Sequence, residues 1–339
     1  MTSPLADLGV TNPVLAAPMA GGPTTPAMVV AAARAGSVGF LAAGYKPPTA
    51  VQSEMEEVRR ARVPFGVNVF APNPVPIALD DYRRYAEDVQ RTADRFGIVV
   101  PTEPVDDDDS FDAKIQLLLS DPVPLVSFTF GIPDADVIRA LRRVGSVVVQ
   151  TVTSRLEAAR AEAAGVDVLA VQASAAGGHS GTLTPDRPVE AVDLVDLVEQ
   201  VTHGVSLPVI AAGGVTTTEG VTAALRAGAQ AVAVGTALLL ADESGASATH
   251  RAALRDPLRT ETAITRAFTG RPARGLRNRF IDEHRSAPLG YPAIHHLTSP
   301  LRKAAAAAGE ADLVHLWAGT GYRDARKAST QQILTYLAG

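Results

Sequence analysis

The sequence contains no cysteine, few aromatic residues and no strongly basic segment. Without cysteine, disulfides, thiolate metal sites and a cysteine nucleophile are excluded. The 31 lysines and arginines are outnumbered by 36 acidic residues among 339 positions, which gives a formal net charge of −5. Because binding to nucleic acid needs concentrated basic side chains, we do not expect nucleic acid as a partner. Aromatic residues make up 5% and hydrophobic residues 46%, so small apolar side chains must build the core, as in packed α/β layers.

Long apolar runs are absent as well. The longest, 231–241, is broken by Gly235 and Thr236, whereas a membrane helix needs roughly 20 apolar residues. The first basic residue is Arg34, so the charged head of a signal peptide is missing. We therefore expect a cytoplasmic protein with no membrane partner.

Ala-rich stretches that end in glycine alternate with short Val-rich runs. Gly36, Gly145, Gly165 and Gly228 each stand between such a stretch and such a run, where a left-handed residue commonly ends a helix. The runs are apolar throughout, as in parallel strands that helices cover on both faces. The candidate strands are 14–17, 38–41, 65–69, 125–128, 146–150, 168–172, 209–211 and 231–234. Eight such strands predict an α/β fold of the (β/α)8 TIM-barrel type, with a doubly wound open sheet as the alternative.

Two regions interrupt this alternation. We predict a barrel domain over 1–242 that carries an insertion at 70–124, and a C-terminal helical extension over 243–339. Both are expected to pack on the active-site face, where barrel insertions commonly lie. Within them the sequence predicts helices at 79–96, 301–308 and 330–338 and a solvated acidic loop at 106–109.

Glycines follow the last two candidate strands. Gly213 and Gly214 come after 209–211, and Gly235 with Thr236 comes after 231–234. Barrels often bind phosphate at this place, because glycine lets backbone N–H groups approach the anion closely. These glycines could serve only tight turns, but their occurrence at consecutive strand ends favours a phosphate site.

A glycine-rich loop extends from Gln172 to Gly181, after the sixth strand. Gly177 and Gly178 lack side-chain bulk, so a flat ligand could stack on the loop backbone. His179 alone among the seven histidines lies beside such a loop at a strand end. Because imidazole titrates near neutral pH, His179 is the candidate catalytic group; the alternative is a surface histidine.

Other strand ends carry groups that could contact a ligand. Ala17, Pro18 and Met19 end the first strand, where proline turns the chain and frees backbone groups. Asn68 ends the third strand and could bond a heterocycle through both a donor and an acceptor. His295 and His296 are adjacent, but no third ligand stands at metal-binding spacing, so no metal site is predicted.

Together these segments resemble the nitronate monooxygenase family, formerly called 2-nitropropane dioxygenases. The resemblance runs through most of the chain. It includes Ala17-Pro18-Met19, Gly66-Val67-Asn68, Ser127-Phe128-Thr129-Phe130-Gly131-Ile132-Pro133, Gly177-Gly178-His179-Ser180-Gly181, Gly213-Gly214, Gly235-Thr236 and Thr269-Gly270-Arg271-Pro272-Ala273-Arg274. The glycine phosphate sites are common to many barrels, whereas the Gly-Gly-His loop and the Phe-Gly-Ile-Pro and Thr-Gly-Arg-Pro-Ala-Arg segments are more specific.

The resemblance implies an FMN-dependent enzyme that oxidises alkyl nitronates with O2, releasing nitrite and a carbonyl compound. Its partners would be a small-molecule nitronate and O2, and a homodimer is one expected assembly. His179 would lie over the flavin face as a base or an anion-binding group. The residues expected to contact FMN are Ala17, Pro18, Met19, Asn68, Gln172, Gly177, Gly178, Gly213, Gly214, Gly235 and Thr236.

One position departs from the family pattern, and one aromatic residue is a weaker candidate. Family members often have Glu-Ala-Gly-Gly-His, but here Ala175 replaces the glutamate. Any hydrogen bond made by that carboxylate is lost, which affects the expected orientation and pKa of His179. Tyr291, in a Gly-Tyr-Pro segment, is a candidate for the substrate pocket, with an amphipathic surface tyrosine as the alternative.

Two other enzyme classes remain open. An FMN-dependent enoyl-[acyl-carrier-protein] reductase shares the Gly-Gly-His loop, and an NAD(P)H:quinone reductase is a variant of it. A non-redox barrel, such as an aldolase or isomerase of sugar phosphates, would use the same phosphate site. An aldolase usually needs a lysine at a strand end, and the candidate strands contain none.

Overall fold

Eight parallel strands form the centre of the molecule. The structure, a computed structural model, describes residues 4–339. The barrel strands are β1 (Val14–Ala16), β2 (Phe40–Ala42), β3 (Gly66–Ala71), β4 (Leu125–Phe130), β5 (Val147–Val152), β6 (Val168–Gln172), β8 (Val209–Ala212) and β9 (Ala231–Val234), while the short β7 (Gly178–His179) lies outside the barrel. Each predicted strand is present, although the bounds of several differ by one or two residues.

The strands close into a barrel. Hydrogen-bonded neighbours follow the order β1-β9-β8-β6-β5-β4-β3-β2. The ends of this sheet meet where the backbone N–H of Ala16 donates to the carbonyl of Val38 at 3.1 Å and Ala16 pairs with Gly39. The (β/α)8 TIM barrel predicted from the sequence is therefore confirmed, and the open doubly wound sheet is not formed.

Helices cover the outside of the barrel and account for the apolar character of the strands. They are α2 (Pro26–Arg34), α3 (Pro48–Arg60), α5 (Phe111–Ser120), α6 (Ala135–Arg143), α7 (Arg155–Ala164), α8 (Leu194–Thr202), α9 (Thr218–Arg226) and α13 (Thr330–Ala338). The last of these packs against β1, α2 and α9 and buries Leu334 and Leu337. The C-terminal helix thus completes the ring of barrel helices.

Inside the barrel, apolar side chains from successive strands fill the end opposite the active-site face. Leu5, from the short helix α1 (Pro4–Asp7), packs against this cluster. Gly66 shows how tight the packing is, because a Cβ atom there would lie 2.3 Å from the ring of Phe40. The cluster also contains Leu15, Val38, Leu125, Val149, Val168, Ile210 and Ala231.

A second hydrophobic core joins the insertion to the C-terminal segment. It packs α4 (Leu79–Ala93) against α10 (Ala248–Arg255), α11 (Arg279–Glu283) and α12 (Ala293–Ala307). The buried phenol of Tyr85 donates to the carbonyl of Ala267 at 2.6 Å across this core. The division of the chain at residue 242 stays a prediction.

The C-terminal segment also contains two strands that the sequence patterns did not predict. β10 (Thr262–Thr265) and β11 (Ala273–Leu276) are antiparallel, and β11 pairs with β7. This small sheet joins the Gly-Gly-His loop to the segment that follows the barrel.

In the acidic run, residues 106–108 are exposed, as in the solvated loop predicted from the sequence, whereas Asp109 is half-buried. The carboxylate of Asp109 lies 2.7 Å from the ammonium of Lys114, which is 1% exposed. Asp107 pairs with His296 at 3.0 Å. Among residues 4–339 no helix is long and apolar enough to cross a membrane.

Candidate active site

A cavity of about 810 Å³ opens at the carboxyl ends of the barrel strands. His179 and all the residues predicted to contact a cofactor lie on its lining, although they come from different strand ends along the chain. Parallel strands present their carboxyl ends at one face of a barrel, which explains why residues so far apart in sequence meet here. The structure thus brings these residues together, and their roles stay predictions.

One end of the cavity is formed by four glycines, Gly177, Gly213, Gly214 and Gly235, which we call the glycine cradle. Gly213 and Gly214 have φ of 120° and 77°, a region that favours glycine. A Cβ atom at Gly213 would lie 2.9 Å from the carbonyl oxygen of Ala173. Nearby, the hydroxyl of Thr236 accepts from the backbone N–H of Gly319 at 2.9 Å. At Gly213 the chain therefore packs closely against its own backbone, and the Thr236 hydroxyl lies beside the cradle.

The loop that carries His179 is held from both sides. The side-chain amide of Gln172 donates to the carbonyl of His179 at 3.1 Å and accepts from the N–H of Gly181 at 2.7 Å. On the other side, His179 pairs with Ala273 of β11. These hydrogen bonds fix the backbone of His179. Gln172 therefore stabilises the loop in addition to lining the cavity.

The imidazole of His179 is directed by Thr269. Its Nε2 atom lies 3.0 Å from the Thr269 hydroxyl oxygen, and that hydroxyl donates to the carbonyl of Arg271 at 3.3 Å. When the hydroxyl donates to that carbonyl, it accepts from Nε2–H, and Nδ1 is then the basic nitrogen. Burial lowers the pKa of His179 to about 3, and the positive charges of Arg271 and Arg302 act in the same direction. The ring is therefore neutral at neutral pH.

Arg271 lies fully buried behind His179. Its guanidinium donates to the carbonyls of Asn73, Ser180 and Thr182 and stands 4.1 Å above the ring centroid of Phe130. Burial lowers the pKa of Arg271 to about 10, so it stays charged at neutral pH. It joins the insertion to the His179 loop and makes this part of the molecule electropositive.

Aromatic rings enclose the cavity next to His179. Phe70, Phe130 and Tyr45 lie on the lining, and the Tyr45 ring stacks on His295 with a centroid distance of 4.2 Å and an angle of 4°. Tyr291 lies behind them: its hydroxyl donates to that of Tyr45 at 3.4 Å, and its ring centroid is 5.8 Å from that of His179. Burial raises the pKa of Tyr45 to about 12, so this phenol is protonated at neutral pH.

Several polar residues of the cavity were not predicted from the sequence. His250, His295, His296, His315 and Arg302 all line it, and they come from α10, α12 and the segment after α12. Of these, the sequence marked only the adjacent pair 295–296, for which it predicted no metal site. Among residues 4–339 no three His, Asp or Glu side chains are grouped as metal ligands would be. Their convergence depends on the second core, which no local pattern reveals.

Ala175, the departure from the family pattern, lies at the glycine cradle. A Cβ atom on Gly214 would come within 2.9 Å of the Ala175 Cβ, and the Ala175 carbonyl accepts from the N–H of Thr320 at 3.0 Å. The imidazole of His179 is instead oriented by Thr269. A hydroxyl from the C-terminal segment thus orients the imidazole where no carboxylate is present.

The sequence of this chain is similar to those of known proteins along nearly its whole length. A sequence model of the nitronate monooxygenase family matches residues 2–339. Two proteins named probable nitronate monooxygenase, from Staphylococcus aureus strain MRSA252 and Bacillus subtilis strain 168, are 35% and 34% identical over 335 and 336 residues. Each alignment covers 97% of this chain, with 94% of the first relative and 95% of the second.

Solved structures extend the likeness to three dimensions. Nitroalkane oxidase from Streptomyces ansochromogenes has a TM-score of 0.93 and 45% identity, with 99% of this chain and 97% of that one covered. FabK from Thermotoga maritima has a TM-score of 0.76 and 25% identity, with 99% and 95% covered. On the family match and the relatives above 30% identity, the chain belongs to the nitronate monooxygenase family and is an oxidoreductase.

Proposed function

We propose that the protein is an FMN-dependent enzyme that oxidises alkyl nitronates with O2 to a carbonyl compound and nitrite. The observation that carries the proposal is a neutral His179 imidazole that shares one cavity with the glycine cradle, in a chain of this family. An oxidation of this kind needs a redox cofactor next to a bound anion. The glycine cradle at one end of the cavity suits the cofactor, and the region around His179 suits the anion.

The residues present fit FMN. A volume of about 810 Å³ lies within the range of roughly 300–1,000 Å³ usual for ligand pockets. The glycines of the cradle place no side chain between their backbone and the cavity, which suits a phosphate held by N–H groups. Gly213, Gly214, Gly235 and Thr236 would hold the phosphate, while Ala17, Pro18, Met19, Asn68, Gln172, Gly177 and Gly178 would contact the remainder of the cofactor. When bound, FMN would supply the electron chemistry.

The chain's own residues then bind and orient the substrate. A nitronate is an anion, and a neutral His179 beside the buried charges of Arg271 and Arg302 offers it a favourable potential without requiring proton transfer. The Thr269 hydroxyl keeps Nδ1 available as an acceptor or base. The aromatic rings around His179 exclude water from the same region, which strengthens these interactions.

The second candidate is a reductase that takes electrons from NAD(P)H, either an enoyl-[acyl-carrier-protein] reductase or a quinone reductase. The Gly177-Gly178-His179 loop is compatible with both functions, and the likeness to FabK from Thermotoga maritima supports the second. A nitronate monooxygenase consumes O2 with a nitronate and needs no NAD(P)H, whereas a reductase oxidises NAD(P)H and needs no nitronate. Both functions require a flavin. Purified protein should therefore be yellow, with absorbance maxima at about 370 and 450 nm, or should turn yellow when FMN is added.

The decisive comparison is between two assays of the flavin-loaded protein. Oxygen uptake that requires a nitronate, such as propyl-2-nitronate, supports nitronate oxidation. Oxidation of NADH without nitronate supports the reductase. A colourless protein that takes up no FMN would refute both functions, because both depend on the flavin.

A further inference from the structure

Glu157 carries a buried carboxylate, 4% exposed, near the start of α7. Four groups donate hydrogen bonds to it. Its Oε2 accepts from the backbone N–H of Thr153 at 2.6 Å and from the hydroxyl of the same residue at 2.9 Å. Its Oε1 accepts from the hydroxyl of Thr182 and from the backbone N–H of Leu183, both at 2.7 Å. The carboxylate therefore joins the start of a barrel helix to the segment that follows the His179 loop.

The local sequence pattern explains only half of these contacts. A glutamate three residues after a serine at a helix start commonly closes a capping box, in which the carboxylate accepts from the N–H of that serine. The hydroxyl of Ser154 does accept from the N–H of Glu157 at 3.2 Å, but the carboxylate reaches Thr153 instead. Its other oxygen reaches a residue 25 positions further along the chain. Capping of α7 does not require that second contact.

Thr182 lies between two buried side chains, a carboxylate and a guanidinium. Its hydroxyl donates to Glu157, and its carbonyl accepts from Arg271. Arg271 is 0% exposed, and its Nε also donates to the carbonyl of Ser180 at 3.4 Å. Burial lowers the pKa of Arg271, and the negative charge of Glu157 is one of the influences that oppose this. The two side chains thus hold the same residue, one by its hydroxyl and the other by its carbonyl.

The segment 269–273, to which Arg271 belongs, also holds the catalytic candidate. It pairs with the backbone of His179 through β11 and accepts from the N–H of Ser180 at 2.8 Å. A hydroxyl of the same segment lies 3.0 Å from Nε2 of the His179 imidazole. Because Arg271 ties this segment to Thr182, a displacement of Thr182 affects both the ring of His179 and its backbone.

We propose that Glu157 is a positioning residue for the reaction at His179, and that it acts through Thr182 to keep the His179 loop and Arg271 in place. The inference rests on the proposed function for the identity of the reaction. Neither Glu157 nor Thr182 lines the cavity, so neither is placed to touch a substrate or a cofactor there. Their effect on the reaction is indirect, through the residues that they hold.

The contacts of Glu157 require a carboxylate. A carboxylate has two acceptor oxygens and no donor, whereas the amide of glutamine has a donor in place of one oxygen. Backbone N–H groups approach both oxygens of Glu157, so an amide at this position would set one N–H against another. Removal of the carboxylate would leave buried donors without partners, which is more costly than the loss of an exposed hydrogen bond. The chemistry of this side chain is therefore needed for the contact with the loop, and its shape alone is not enough.

The kinetic test uses two threonines that donate to opposite oxygens of the same carboxylate. Thr182→Val removes the hydroxyl on the loop side, and Thr153→Val removes the hydroxyl on the helix side. In the FMN-loaded enzyme, Thr182→Val should lower kcat for propyl-2-nitronate about tenfold with KM within about twofold, because a misplaced catalytic group weakens the transition state rather than binding. Thr153→Val should keep kcat within about twofold, and Thr182→Ser should restore it. Equal kcat in the two valine variants would overturn the proposal.

Amide hydrogen exchange separates this inference from the proposed function, because it needs no substrate. The N–H of Ser180 donates to the carbonyl of Pro272, and that of Gly181 donates to the side chain of Gln172. Neither N–H is bonded to Glu157, so a change in their exchange reports the position of the loop rather than the loss of a direct contact.

Both amides should exchange about tenfold or more faster in Thr182→Val and in Glu157→Ala than in the wild type, and at the wild-type rate in Thr153→Val. If Glu157→Ala does not unfold cooperatively, the two valine variants decide the question. Wild-type exchange of both amides in Thr182→Val would show that Glu157 serves only the start of α7. That result would overturn the proposal whether or not nitronates are oxidised.

Discussion

The Nε2 atom of His179 and the hydroxyl oxygen of Thr269 are 3.0 Å apart, although the two residues belong to different parts of the molecule. His179 stands on a loop after the sixth barrel strand, and Thr269 precedes β11 in the C-terminal segment. The same segment pairs with the loop through β11 and β7. The orientation of the catalytic candidate thus depends on residues 90 positions further along the chain.

Replacing Thr269 by valine should slow turnover without removing the cofactor. Thr269→Val keeps the shape of the side chain but loses the hydroxyl that orients Nε2 and sets the basic nitrogen. A lost hydrogen bond of about 1–1.5 kcal/mol corresponds to a roughly tenfold lower kcat. Steady-state oxygen uptake measures turnover, and flavin absorbance measures the bound cofactor. Thr269→Ser, which keeps a hydroxyl, should restore most of the rate. Wild-type kcat in Thr269→Val would show that the contact does not matter.

Removal of the His179 imidazole should lower kcat more than the loss of the Thr269 hydroxyl does. His179→Ala should lower kcat by about 10²–10⁴-fold, the range usual for a group that takes part in proton transfer or in charge stabilisation. Bound FMN should remain, because the glycine cradle is untouched. His203, exposed at the end of α8, provides the matched control, and His203→Ala should behave as wild type. Equal rates in the two variants would remove His179 from the chemistry.

The glycine cradle can be tested by adding one methyl group. Gly213→Ala forces a left-handed φ on alanine and places Cβ 2.9 Å from the Ala173 carbonyl, so the cradle must widen. We expect FMN affinity to fall by about tenfold or more, beyond the backbone strain of roughly 1–2 kcal/mol. Gly145 has φ of 92° with nothing within 4 Å of its added Cβ, so Gly145→Ala carries the strain alone. If both variants bind FMN as the wild type does, the cradle is not the cofactor site.

Stability should fall with pH from neutrality towards pH 5. The pKa of His179 is about 3 and that of His250 about 4 in the folded chain, against 6.5 as the ordinary value. In that window the unfolded state binds protons that the native state does not, so the free energy of unfolding rises with pH. Each histidine contributes a slope of up to about 1.4 kcal/mol per pH unit.

Urea unfolding at pH 7.5, 6.0 and 5.0 measures this slope. His250→Gln removes one of the buried histidines whose pKa is lowered and should make the slope shallower, even if the variant is less stable at every pH. The opposite sign in the wild type, with greater stability at pH 5, would mean that these rings are charged in the native state. Identical slopes in wild type and His250→Gln would mean that the pKa of His250 is the same in the folded and the unfolded chain.

Sequence patterns predicted the barrel well because its signals are local. The glycine that ends each helix and the apolar run that follows are neighbours in the chain, and parallel strands bring their ends together whatever the intervening length. Asn68, His179, Gly213 and Gly235 could therefore be assigned to one face of the barrel from their positions in the sequence alone. Their convergence on a single cavity follows from the topology of the barrel.

The other half of the cavity could not be predicted in this way. His250, Arg302 and His315 depend on how α10 and α12 pack against the insertion, and that packing is a property of the second core rather than of any short segment. The sequence around Arg302 does not mark it as buried, although its Nε donates to Thr298, four positions earlier on α12. Asp109 likewise has the sequence context of a solvated acidic run, yet it pairs with Lys114, which lies about one helical turn further on.

The most direct test of the account is oxygen uptake by the FMN-loaded protein with an alkyl nitronate as the only other substrate. We predict uptake that begins on addition of propyl-2-nitronate, releases nitrite and needs no NADH. A yellow, folded protein that consumes no oxygen with the nitronate but oxidises NADH would contradict the account.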